Sequence, residues 1–249
     1  MDRMTQTPVA SPIAGQDPRQ RLARWRALGA VEKCRNIVSL CGGVPHETVL
    51  EIGAGDGAVL ARLEELGFPI RSWALEVNPT AAEAIRTRGL RTLADCRVYN
   101  GQDLPFDDGA FDLVILTHVL EHVDHPRGLL REAARTGRHV FVEVPLEDTV
   151  RLRDDSRPNP SGHVNFYSPK TIRLLLRTSG LEVLAQRLTH PSYGAYAFTN
   201  RWTAPLRYLF KTAMRVCPPV ATRIGTYHLA MLCRAQVPGE SPQANGNGQ

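Results

Sequence analysis

Three glycines, Gly53, Gly55 and Gly57, fall within the run VLEIGAGDGAVL at residues 49–60. They follow an apolar stretch and open a helical one. Glycines are needed at such a junction because the chain must turn sharply and its backbone must approach a ligand more closely than a Cβ allows. Gly53, Gly55 and Ala58 also spell the G-x-G-x-x-A spacing of a dinucleotide loop. Glu51 separates the two readings. An acid two residues before the first glycine sits at the strand's carboxyl end. It would repel a pyrophosphate there and welcome a ligand that is positively charged at that point. Glu76, at the end of WALEVNP, can accept hydrogen bonds from both ribose hydroxyls of a nucleoside.

Histidines supply the candidate acid–base chemistry. His118 follows the apolar run FDLVILT directly, at the edge where open α/β sheets bind ligands. A histidine near its ordinary pKa suits proton removal at neutral pH. It is the first candidate for a base, or for a wall of the cofactor site. Glu121 and His122 follow, and on a continuous helix His118 and His122 would share a face. His163 and Tyr167, in GHVNFY, are further candidates for contact with a second substrate. His125 and His190 each precede a proline and read as turn residues.

Taken together, the glycine loop with Glu51, the segment VYNGQDLPFDDGAFDLVILTHVLEHV at 98–123 and GHVNFYSPKTIRLLLRTSGLEVL at 162–184 resemble class I S-adenosylmethionine (SAM)-dependent methyltransferases of the quinone-methyltransferase type. The resemblance covers residues 45–190. It implies SAM as cofactor and transfer of its methyl group to O or N of a small-molecule acceptor. Glu51, Gly53, Ala54, Gly55, Gly57, Glu76, Asn100, Gly101 and Thr117 would line the cofactor site, with Asn100 and Gly101 at the adenine. Asn100 stands where the family usually carries Asp; its side-chain oxygen can still accept from an adenine amino group. His118, His163 and Tyr167 are the catalytic candidates. Some quinone O-methyltransferases hold a metal on an acid, two residues, then Glu-His. Here His118 replaces the first acid, so no metal is expected. A tRNA methyltransferase and a non-catalytic SAM-binding module are the alternatives.

Elements must position these residues. Strands read at 48–52, 70–76, 96–99, 111–117 and 138–144, with helices at 57–67, 79–88, 119–135 and 168–179. Ser168 is the expected N-cap of the last helix and Gly180 its stop. Two more strands, 181–188 and 226–235, complete a doubly wound, seven-stranded Rossmann-like α/β sheet. The domain spans 18–235: an N-terminal helical cap (18–44), the core (45–190), a helical insertion (195–225) and the last strand. The cap's apolar stripe is expected at Leu28, Val31, Cys34, Val38 and Cys41. Residues 1–17 and 236–249 read as disordered tails.

The bulk numbers bound the rest. The chain has 249 residues, 43% of them hydrophobic and 22% charged, with net charge +5. That mild excess permits an anionic partner without requiring one, and no dense basic stripe marks a nucleic-acid binder. Five cysteines without CxxC spacing fit a reducing cytoplasm. The segment 201–217 carries Trp202, Leu206, Leu209, Ala213 and Val216 on one stripe and Arg207, Lys211 and Arg215 on another. It reads as a lid with its apolar face inward. An amphipath of this kind can instead make peripheral contact with an anionic membrane.

Overall fold

The computed structural model describes residues 17–152 and 161–236; the two expected tails lie, but for Asp17 and Gln236, outside the described residues. Helix α1 (Pro18–Cys41) precedes four βα units and one strand, the third, that has no helix after it. These are β1 (Thr48–Ile52), α2 (Ala58–Glu65), β2 (Arg71–Glu76), α3 (Pro79–Thr87), β3 (Leu93–Val98), β4 (Phe111–Thr117), α4 (Pro126–Thr136), β5 (Gly137–Leu146) and α5 (Pro169–Arg177). Strand β6 (Leu181–Thr189), helices α6 (Tyr193–Thr199), α7 (Ala204–Met214) and α8 (Pro218–Ile224), and β7 (Tyr227–Ala235) close the chain. The sheet order is β3-β2-β1-β4-β5-β7-β6, with β7 antiparallel to both neighbours. The strand order reverses between β1 and β4, and ligands of open sheets enter at such a switch point.

Both faces of the sheet are covered, which is why its strands are apolar without alternation. On one face Val49, Leu113, Ile115 and Phe141 pack against Cys34 and Ile37 of α1 and Leu63 of α2. On the other, Leu50, Val114, Leu116 and Val142 pack against Leu129 and Leu130 of α4 and Ile172 and Leu176 of α5. Side chains alternate along each strand, so the first face continues two residues on, at the carboxyl edge. There the apolar rows end in Glu51, Thr117 and Glu143; on antiparallel β7 the row Leu232–Ala230 ends in His228. The sheet therefore turns polar in a band under α1, and this band is the site.

Three expectations change. The 119–135 segment is not one helix: a short 3-10 turn, Leu120–His122, ends before α4 begins at Pro126. Proline fixes a new start because it needs no backbone partner at the first helical position. His118 and His122 therefore share no α-helical face. The buried face of α1 runs Ala30, Cys34, Ile37, Cys41, while Val38 is exposed. That rotation also turns Asn36 inward. The 201–217 stripe is treated below. The Ser168 cap does form, accepting from the Thr171 amide, and Gly180 follows α5 at φ 84°.

Candidate active site

The glycine loop fits a close ligand. Gly53 lies at φ 68° and a Cβ there would meet Val119 Cγ2 at 2.7 Å, so neither the backbone nor the space admits a side chain. Gly55, at φ 60°, faces open space within 4 Å of where its Cβ would be. Asp56 is gripped by Arg88 at 3.3 Å and by Arg26 of α1 at 3.8 Å, which fixes the loop from both sides. Ala54 is buried and Gly57 caps α2 at φ 77°.

Two carboxylates flank this loop with different roles. Glu76 is tied to the backbone: Gly55 N donates to Oε2 at 2.8 Å, and Val77 N and Asn78 N donate to Oε1 at 2.9 and 3.0 Å. A carboxylate offers about four lone pairs, so one, on Oε2, remains for a ribose hydroxyl. Glu51 is fully buried, and its Oε2 has no hydrogen-bond partner. Burial, against the opposing charge of Lys33, pushes its carboxyl up to about 8. An orphaned buried carboxyl needs a donor, and a cationic ammonium is the donor that suits it. The residues present thus fit SAM, with a ribose-hydroxyl acceptor at Glu76 Oε2 and an ammonium acceptor at Glu51.

Asn100 does not sit as expected. Its Oδ1 already accepts from Gln102 N and Asp103 N, both at 2.9 Å, and its Nδ2 donates to Asp103. The side chain caps its own turn and has no lone pair left for an adenine. Gly101, at φ 84°, follows it against Val77. Thr117 is buried at the end of β4, where its hydroxyl helps lower the Glu51 pKa.

His118 occupies the tip of β4 at φ 57°, in the left-handed region that costs a non-glycine residue roughly 1 kcal/mol. Two contacts hold it there. Nδ1 lies 3.2 Å from Glu121 Oε1 and Nε2 lies 3.2 Å from Glu143 Oε1. Burial and Lys33 work against its charge, yet the hydrogen bonds to Glu121 and Glu143 win and raise the imidazole above the ordinary histidine value. Burial likewise opposes ionisation of Glu143. His118, His228 and Asn36 outweigh it and hold that carboxyl at about 2. Asn36 Nδ2 donates to Glu143 Oε2 at 2.8 Å. His228 stands beside this pair, ring edge to face with His118 at 4.5 Å, and burial with the His118 charge drives it down to about 3.

The other two catalytic candidates are committed elsewhere. Nδ1 of His163 pairs with Glu147 at 2.5 Å, and its ring meets that of His122 edge-on at 4.8 Å. Tyr167 is buried and donates its hydroxyl to Leu120 O at 3.1 Å, so it anchors the 3-10 turn below the site. Donor atoms of His118, Glu143 and His228, and separately of Glu121, His122 and His163, lie within 4.8 Å of one another. In the first group Glu143 already pairs with His118 and accepts from Asn36. Sequence reasoning missed Glu143, His228 and Asn36. The signal was present for Glu143: a single acid inside the apolar run HVFVEVP.

A family model described as a methyltransferase domain matches residues 19–186. The chain belongs to the class I SAM-dependent methyltransferase family. A demethylmenaquinone methyltransferase of Tropheryma whipplei is 31% identical over 126 residues, 49% of this chain and 48% of that protein. A ubiquinone biosynthesis O-methyltransferase of Xanthomonas oryzae pv. oryzae is 32% identical over 90 residues, 35% of this chain and 37% of that protein. The chain thus spans less than half the length of these two relatives. A solved [4+2]-cyclase, SpnF, superimposes with a TM-score of 0.61 at 15% identity, over 83% of this chain and 81% of that one, and so shares the fold.

Proposed function

We propose that this methyltransferase moves the methyl group of SAM to a hydroxyl oxygen of a small-molecule acceptor, of the phenol or quinol class. The observation that carries the reading is His118, bracketed by Glu121 and Glu143 immediately after Thr117. A hydroxyl must lose its proton as it attacks, and a base beside it assists that step. Bound SAM supplies an electrophilic methyl group, and alignment then provides much of the rate.

The chain's own residues do the remainder. Glu51 and Glu76 hold the two ends of the cofactor, and the glycine loop lets it approach the backbone. Glu143, held by Asn36, fixes the His118 tautomer through Nε2, and Nδ1 takes the acceptor's proton once the acceptor hydroxyl displaces the Glu121 carboxylate from it. The paired carboxylates make the imidazole a stronger base than a free histidine and stabilise the imidazolium that results. Its working form is the deprotonated one, so the rate rises with pH through a value above that of an ordinary histidine. His228, held neutral beside it, keeps a second positive charge out of the cluster. The name of the ubiquinone biosynthesis O-methyltransferase relative supports an oxygen acceptor, and that of the demethylmenaquinone methyltransferase supports a quinone-type ring.

The test is methyl transfer from labelled SAM to phenols, quinols, amines and sugars, with wild type and His118→Gln. The reading expects phenol or quinol methylation. The substitution should cost about 10²- to 10⁴-fold in kcat, leave SAM affinity unchanged and remove the pH dependence. Transfer confined to amines, or a His118→Gln enzyme with the wild-type rate and pH profile, would overturn it.

A further inference from the structure

The insertion helix α7 is apolar on two sides. The side it turns to the fold carries Ala204, Tyr208 and Met214, with polar contacts beside them. Lys211 Nζ donates to Thr226 O at 2.8 Å and lies 4.1 Å over the Tyr227 ring. Tyr227 donates its hydroxyl back to Lys211 O, and His190 Nε2 meets Thr212 Oγ1 at 3.2 Å. The stripe expected to face inward points the other way. Trp202 is 79% exposed, Leu206 75%, Leu209 64% and Val216 90%, with Phe210 and Val220 beside them. A helix of a globular domain normally buries its apolar stripe. Here the stripe runs outward for four turns, so it does not form the expected lid.

The charge around the stripe has one sign. Between Glu182 and Glu240 the sequence contains no acidic residue, while Arg201, Arg207, Lys211, Arg215 and Arg223 all fall in the insertion. Arg201 stacks over the Trp202 ring at 4.5 Å, at the exposed end of the stripe. Arg207 lies over Tyr196 at 5.1 Å and remains exposed. Aromatic and aliphatic side chains on one side, rimmed by arginines, match an acyl–headgroup boundary. Among the described residues no helix is long and apolar enough to cross a membrane.

We propose that the outward face of α7 and the start of α8 seats the protein on an anionic lipid surface. The apolar stripe enters the boundary region while the arginines meet lipid phosphates. A second copy would bring arginine against arginine, so the cationic rim suits the lipid surface better.

The experiment is vesicle co-sedimentation of the full chain, without cofactor. It compares phosphatidylcholine alone with phosphatidylcholine mixed with phosphatidylglycerol. Binding should require the anionic lipid and should fall as salt rises. Each removed cation should weaken it about fivefold, so Arg201→Glu with Arg223→Glu should cost at least tenfold. Trp202→Ser with Leu206→Ser should abolish it. All four positions are exposed, so melting temperatures should match wild type. Equal vesicle binding by the variants would overturn the proposal. So would absence of vesicle binding together with a concentration-dependent dimer that the same variants dissociate.

Discussion

Glu51 makes cofactor binding a proton-release reaction. Its carboxyl is buried at the end of β1 and raised from 4.5 to about 8. At neutral pH the free protein therefore favours the protonated form of this group. A carboxyl raised on folding adds stability at low pH and loses it as pH climbs from 4.5 towards 8. Docking an ammonium against it reverses the preference, because an adjacent cation favours the carboxylate. The α-amino group of SAM is itself mostly protonated at pH 7. Titration calorimetry in buffers of different ionisation enthalpy should thus report release of nearly one proton per SAM bound. Glu51→Gln is close in shape and mimics the protonated form, so it should fold normally. It should release no proton, and it should bind SAM roughly ten- to hundredfold more weakly, the worth of a hydrogen bond to a charged group. If wild type releases no proton, or if the variant releases as much, Glu51 does not hold the ammonium.

Three further outcomes follow from the site. Gly53→Ala forces a Cβ to within 2.7 Å of Val119 Cγ2 at φ 68° and should cost at least about 1–2 kcal/mol of stability in a denaturant titration, with SAM binding lost. Tyr167→Phe removes one buried hydrogen bond to Leu120 O and should lower stability by about 1 kcal/mol while leaving the pH–rate profile in place; a shifted profile would return Tyr167 to the chemistry. Dialysis against a chelator should leave the rate within about twofold, because Glu121 and Glu143 already pair with His118; a tenfold loss restored by a divalent cation would contradict this.

The glycine loop and its flanking acid were legible in the sequence because their constraints are local. Gly53, Gly55 and Glu51 sit within five residues, and each is specified by what the next few atoms must do. The cluster around His118 was not. Glu143, His228 and Asn36 come from β5, β7 and α1, and only the sheet register and the rotation of α1 bring them to His118. The lone acid in a buried strand was the clue available. Asn100 misled because an Asx turn, closed by Gln102 N and Asp103 N, competes for the same oxygen that an adenine would use. Residues 201–217 misled in a different way. Periodicity finds the apolar stripe but does not say which way it points. That orientation is set by Tyr208, Lys211 and Met214, which face the fold.

The central claim is that the crevice between β1 and β4 receives SAM through Glu51, the glycine loop and Glu76. Thermal denaturation with SAM, S-adenosylhomocysteine or NAD tests it most directly, on wild type and Glu76→Ala. The account predicts that both sulfur nucleosides raise the melting temperature of wild type, that NAD does not, and that Glu76→Ala loses the rise. A rise with NAD alone, or no rise with either nucleoside, would contradict it.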